Sequence, residues 1–77
     1  MKTQYEIEIT DTFGGESNYS WVKRYTVQAS TPRGAMRIAT RDFGGEWRKE
    51  YETSGDMARY NMKNACICAF VTANWEN

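Results

Sequence analysis

The chain has 77 residues, enough for one domain with a thin core, since a chain this short buries only about 60% of the surface that its unfolded form exposes. Ten Lys and Arg residues balance ten Asp and Glu, so bulk charge argues neither for nucleic acid nor for an overall mimic of it. With no His and only two Cys a zinc site is not expected, and no apolar run is long enough to span a membrane.

Residues 4–10 alternate, with Tyr5, Ile7 and Ile9 to one side and Glu6, Glu8 and Thr10 to the other, the pattern of a half-buried strand. The first residues alternate charged and apolar side chains and form no signal peptide. Residues 11–20 are a Gly/Asn/Ser-rich loop, longer than a tight hairpin needs. Residues 21–29 form a second strand, with Trp21, Tyr25, Val27 and Ala29 on one face; Lys23 interrupts it, through a bulge or at a rim. Arg24 then faces Glu6 or Glu8 across the hairpin.

Residues 31–43, TPRGAMRIATRDF, carry the clearest helical period. Thr31 can cap the free amides, and Pro32 gives up an N–H that has no partner there. Ala35, Ile38, Ala39 and Phe43 make an apolar stripe, with Met36 at its margin. Arg33, Arg37 and Arg41 stand four apart on the opposite side. Gly34 costs roughly 1 kcal/mol against Ala in a helix, and close packing is its only evident reason. Asp42 sits at the wrong end of the helix dipole, which a neighbouring Arg can offset. Gly44 stands at the C-terminal cap position.

Residues 46–52 read as a third strand, with Trp47 and Tyr51 on one face and Arg48, Glu50 and Glu52 on the other. Residues 57–62 follow as a fourth, with Ala58, Tyr60 and Met62 inward; helical turn within residues 46–62 is the alternative. Residues 65–73 are apolar on both faces, as suits a central strand. The order is β-β-α-β-β-β, an α+β fold: one antiparallel sheet with one α-helix packed on one face. The short likeness of residues 11–16 to residues 42–46 is no structural repeat; each is a Gly-Gly exit from an ordered element.

No catalytic set is present. The chain lacks a His base, a Gly-x-Ser-x-Gly elbow and a Walker loop, and Gly14–Gly15 precedes no helix. Cys66 and Cys68 lie in an apolar run, which keeps thiols inert and places both in the core. Asp11 and Glu16 read as solvated loop carboxylates. No cofactor is implied. Recognition residues are better represented. Glu16, Tyr19 and Trp21 in the loop combine charge with the ring types that anchor interfaces. Arg33, Arg37 and Arg41 suit an acidic protein surface or phosphates.

The run DTFGGESNYSWVKR, residues 11–24, resembles a pattern in small proteins of tailed phages and prophages, and Gly55-Asp56-Met57 before a Cys-bearing last strand is similar too. The resemblance brings no established activity. It implies a mobile-element origin, and small aromatic-rich phage proteins of this type are often anti-defence factors such as anti-CRISPR proteins. The expectation is a non-enzymatic inhibitor in the host cytoplasm, monomeric or a small homo-oligomer, that binds a host protein or ribonucleoprotein defence complex by steric occlusion. A nucleic-acid-binding phage regulator using the Arg stripe is the alternative. An accessory phage protein assembling through an exposed sheet edge is the third reading.

Overall fold

The Thr-Pro pair opens the helix as its chemistry requires. Thr31 is extended (φ −143°, ψ 159°) and its side chain accepts a hydrogen bond from the Gly34 N–H at 3.0 Å, while Pro32 fills the first turn. In the computed structural model, which describes residues 2–12, 17, 22–53 and 56–74, this helix is α1 (Pro32–Phe43). Two strands precede it, β1 (Thr3–Asp11) and β2 (Val22–Ala29). Three follow: β3 (Trp47–Thr53), β4 (Met57–Met62) and β5 (Ile67–Asn74). The fold is α+β in the order expected, and residues 46–62 form a hairpin with no helical turn among the described residues.

All neighbouring strands are antiparallel, in the order β2-β1-β5-β4-β3. The doubly apolar β5 takes the centre, where both of its edges are paired and Cys68, Ala69 and Val71 are fully buried. On the helix side, Ile7 stands opposite both Tyr25 and Val71, and Val71 opposite Ala58. Tyr5, Ile7, Ile9, Ala58, Tyr60, Ala69 and Val71 form the sheet's share of the core. The helix adds Ala35, Met36 and Ala39. Two alanines on the contact face let the helix backbone approach closely. At Gly34 a methyl would crowd the capping Thr31 Oγ1 at 3.3 Å but would meet Ala29 Cβ at an ordinary 3.5 Å, so the glycine spares the cap rather than the helix–strand approach.

Several side chains depart from the sequence pattern. Ile38 is exposed, and Pro32 and Met36 are buried in its stead, so the buried stripe is rotated away from it. Asp42 is held by Tyr25, whose hydroxyl donates to Asp42 Oδ2 at 2.7 Å, and not by an arginine. Lys23 needs no bulge: the β1–β2 ladder runs unbroken past it, and its ammonium lies 5.6 Å from the Tyr25 ring centre. Arg24 does pair across the hairpin, its Nε 3.0 Å from Glu8 Oε2. Cys66 is exposed just before β5, and only Cys68 belongs to the interior.

The largest departure is in β3. A bulge between Lys49 and Tyr51 shifts the register against β4. Trp47, Lys49 and Glu52 stand opposite Met62, Tyr60 and Ala58, on the helix side. Tyr51 stands opposite Arg59 on the other side, away from Trp47. Glu50 turns with it, receiving a 2.6 Å hydrogen bond from Asn61 Nδ2. Arg59 Nε lies 3.3 Å from Glu50 Oε1, close enough for attraction between charges but not aligned as a hydrogen bond. On that outer side Thr10 and Cys68 are fully buried, and Ser17 of the long connection lies against Cys68 with its Oγ 3.5 Å from Sγ.

Gly44 ends the helix, its N–H donating to the Thr40 carbonyl at 2.8 Å. Its φ of 89° and ψ of −174° lie outside the left-handed helical well, in a region that essentially only glycine occupies. A Cβ there would meet nothing within 4 Å, so the cost of adding one is conformational. Gly44→Ala is expected to destabilise the protein by about 1–3 kcal/mol in chemical denaturation, with native circular dichroism retained.

Candidate binding cleft

The helix lies mainly over β2, with less contact to β1 and β5 and least to β4. The β4–β3 end of the helix-side surface is therefore only partly roofed. A cleft of about 220 Å³ opens there, lined by Arg33, Met36, Arg37 and Thr40 of α1, Gly45, Trp47 of β3 and Tyr60 of β4.

Helical spacing explains which arginines reach it. Arg33 and Arg37 are one turn apart and share a flank with Met36 and Thr40. Arg41, a further turn on, has drifted toward the crest of the helix and does not line the cleft. All three arginines are exposed, and no carboxylate among the described residues lies within ion-pair distance of any of them. Glu16, Tyr19 and Trp21, the candidates from the long connection, lie outside the described residues.

The exit from the helix builds the far wall. Gly45 has φ 89°, and a Cβ on it would approach Met62 Cε to 2.5 Å, so the chain passes tightly over β4. The Lys63 N–H donates to the Glu46 carbonyl at 2.8 Å and ties that passage down. Trp47 Nε1 donates to the Gly44 carbonyl at 3.0 Å, and the indole packs at a tilt against Phe43, ring centres 6.0 Å apart. With its N–H satisfied, Trp47 offers the cleft an apolar ring.

Tyr60 is the least settled group. It is 6% exposed, and its hydroxyl has no hydrogen-bond partner among the described residues. Burial pushes its phenol above the ordinary value of 10.0; the Glu52 carboxylate adds to the rise and the Arg33 guanidinium opposes it. Glu52 also bonds Lys49 Nζ at 3.1 Å. The cleft therefore carries cations on its helix wall, an apolar ring at one end, and a paired Lys–Glu couple near its strand wall. It holds no nucleophile–base pair. It can bind a group that is partly apolar and partly acidic.

A wider recess of about 420 Å³ is lined by Arg48, Asn61, Met62, Lys63 and Asn64. It has no aromatic lining residue, and Lys63 Nζ already lies 3.9 Å from Glu46 Oε1. The smaller cleft has the better chemistry for recognition. No helix among the described residues is long and apolar enough to cross a membrane. No protein-family model matches the chain, and neither does any curated protein or solved structure. The candidate site therefore stands on its geometry.

Sequence reasoning singled out Arg33, Arg37 and Arg41, of which the first two line the cleft, and did not join Trp47 and Tyr60 to them. Alternation had already placed Tyr60 inward, and Trp47 follows a Gly-Gly exit; neither signal told which strand lies under the helix flank.

Tyr60→Phe is expected to leave the free protein as stable or up to about 1 kcal/mol more stable, because it removes a buried hydroxyl that has no partner. A loss above about 1 kcal/mol would show that the hydroxyl is satisfied in solution. Alkaline pH gives a second check. The phenols of Tyr5, Tyr25 and Tyr60 are all raised, first by burial. Below 10.0 both folded and unfolded chains keep them protonated, so their contribution is complete. Above it the unfolded chain releases its protons first, and stability falls as pH rises through the folded values. Thermal melts should thus decline beyond that point, and less steeply in Tyr25→Phe, which also loses about 0.5–1.5 kcal/mol with its bond to Asp42.

Proposed function

We propose that this protein is a phage-encoded binding protein with no chemistry of its own, which inhibits a bacterial defence complex by occupying a surface the complex needs. The observation that supports this most is the pair Arg33 and Arg37, unpaired by any described carboxylate, above the rings of Trp47 and Tyr60. Arginine and large aromatics beside one another are the usual centre of a protein interface. A guanidinium can grip a carboxylate with two parallel bonds while a neighbouring ring excludes water. Arg41 extends the cationic surface along the crest of the helix. Glu16, Tyr19 and Trp21 of the long connection are proposed as further partner contacts, apart from the cleft. The class of target comes from the resemblance of residues 11–24 to small phage proteins, whose anti-CRISPR-like members work by adhesion. The partner would be a host protein or ribonucleoprotein, met in the host cytoplasm.

A second reading is a small nucleic-acid-binding regulator. Three guanidiniums recur at intervals of one helical turn, about 5–6 Å, which suits a row of phosphates. Glu46, next to the lining residues Gly45 and Trp47, and Glu52, on the helix side of β3, would repel a phosphate chain, so the protein partner is preferred.

The test is capture from lysates of bacteria carrying defined defence systems, using the full chain as bait. The expected result is a retained defence component, lost on the double change Arg33→Glu and Arg37→Glu with at least a tenfold drop in affinity, about 1.4 kcal/mol. Arg41→Glu should cost less. Retention that the double change leaves intact would remove the cleft from the reading. A duplex or single strand bound at low salt, with affinity falling steeply as salt rises, would transfer the arginines to the nucleic-acid reading.

A further inference from the structure

The two edges of this sheet differ. β3 is blunted: it carries the bulge at Lys49/Tyr51 and the charged run Arg48, Lys49, Glu50 and Glu52. Such features keep edge strands from pairing with one another. β2 has eight residues in unbroken register with β1, no bulge and no proline, and no described strand pairs with its outer edge. Its charges, Lys23 and Arg24, are confined to one end.

We infer that β2 is the contact between two copies of this chain, paired antiparallel about a two-fold axis at Thr26. In that register Thr26 faces the partner's Thr26, Tyr25 faces the partner's Val27, and Arg24 faces the partner's Gln28. Lys23 meets the partner's Ala29. No like charges are opposed, because the two Arg24 side chains stand four residues apart along the seam, roughly 13 Å, beyond the screening length of physiological salt. The strand can therefore pair with itself without setting like charges opposite one another. The ring-against-branched pair Tyr25 and Val27 occurs twice, on the helix side, and both residues are half-buried in the single chain.

A second observation points the same way. Ile38 is one of the two large hydrophobic residues left exposed among those described. It lies one turn before Asp42, which Tyr25 of β2 holds by its hydroxyl, so Ile38 is on the β2 flank of the helix. A two-fold axis perpendicular to the sheet puts both helices on the same side. The two Ile38 flanks then face each other across the seam, and the sheet continues through ten strands. The inference is independent of the cleft's partner, since the cleft occupies the opposite flank of the helix.

Sedimentation equilibrium on the full chain tests it. The expected result is a dimer of the 8.9 kDa chain at micromolar to millimolar concentration. Thr26 and Gln28 are exposed, so their substitution leaves the core untouched. Gln28→Glu would face Arg24 of the partner twice and should tighten the dimer by about threefold to tenfold. Gln28→Lys and Thr26→Lys should loosen it by a similar factor. A chain that stays monomeric at millimolar concentration overturns the inference. So does a dimer indifferent to all three changes, whatever its own contact.

Discussion

An α-helix with its side chains is about 10–12 Å across, and five paired strands span roughly 20 Å. One helix cannot roof that sheet. Where it settles decides what remains open, and the alanines settle it. Ala35 and Ala39 allow a close approach, and Gly34 lies close to Ala29. The helix is thereby drawn toward the β2 side of the sheet. The bond from Tyr25 to Asp42 fastens its last turn to the same strand. What is left is a half-open strip over β4 and β3, and the cleft is that strip. Its cations come from the helix flank that overhangs it, and its rings from strands the helix does not reach far enough to cover.

The same placement explains how a chain of zero net charge can present a cationic surface. Most carboxylates of the strands are committed locally. Glu8 serves Arg24, Glu50 serves Asn61 and Arg59, and Glu52 serves Lys49. Exposed pairs of this kind contribute only a few tenths of a kcal/mol to about 1, but they neutralise the sheet. The helix has no acidic residue in its first turn, and its one acid, Asp42, is held by a phenol and not by a cation. The arginines are left unpaired by every described carboxylate. Bulk charge therefore conceals a local excess that appears only when the pairs are assigned.

The elements were legible in the sequence because each is specified locally. Thr31-Pro32 marks a helix start, and the alternation of residues 4–10 marks a strand, whatever lies around them. The doubly apolar run before Asn74 announced a central strand even though no strand order could be read. The misplacements share one cause. Period-two counting put Tyr51 beside Trp47, but the bulge inserts one extra residue, and everything beyond it changes face. Ile38 matched the helical period, yet which part of the stripe is buried depends on the tilt of the helix over the sheet, a tertiary quantity. Tyr25 and Asp42 are seventeen residues apart, and no local rule pairs them. The cleft was half legible for the same reason: Arg33 and Arg37 advertise themselves on one helix, whereas Trp47 and Tyr60 join them only through the strand order.

A shallow cleft on so small a body grips little by area. A standard protein interface covers about 800 Å² on each partner, far more than one 220 Å³ cleft supplies. Strong adhesion therefore demands either neighbouring surface, such as the crest bearing Arg41, or repetition. A two-fold assembly through β2 would supply repetition without new chemistry. Both helices would lie on one side of a continuous sheet, and both clefts, each on the flank away from the seam, would open toward the same side. A partner that offers two copies of an acidic segment at matching separation would then meet the second cleft at a high effective concentration, and avidity could exceed either single affinity by about a hundredfold or more. An extended repetitive target suits such a pair of clefts better than a small compact one does. On this geometry, the strip that the helix leaves open follows from a helix drawn to one side of its sheet, and the edge proposed for the assembly follows from the strand order that leaves β2 outermost.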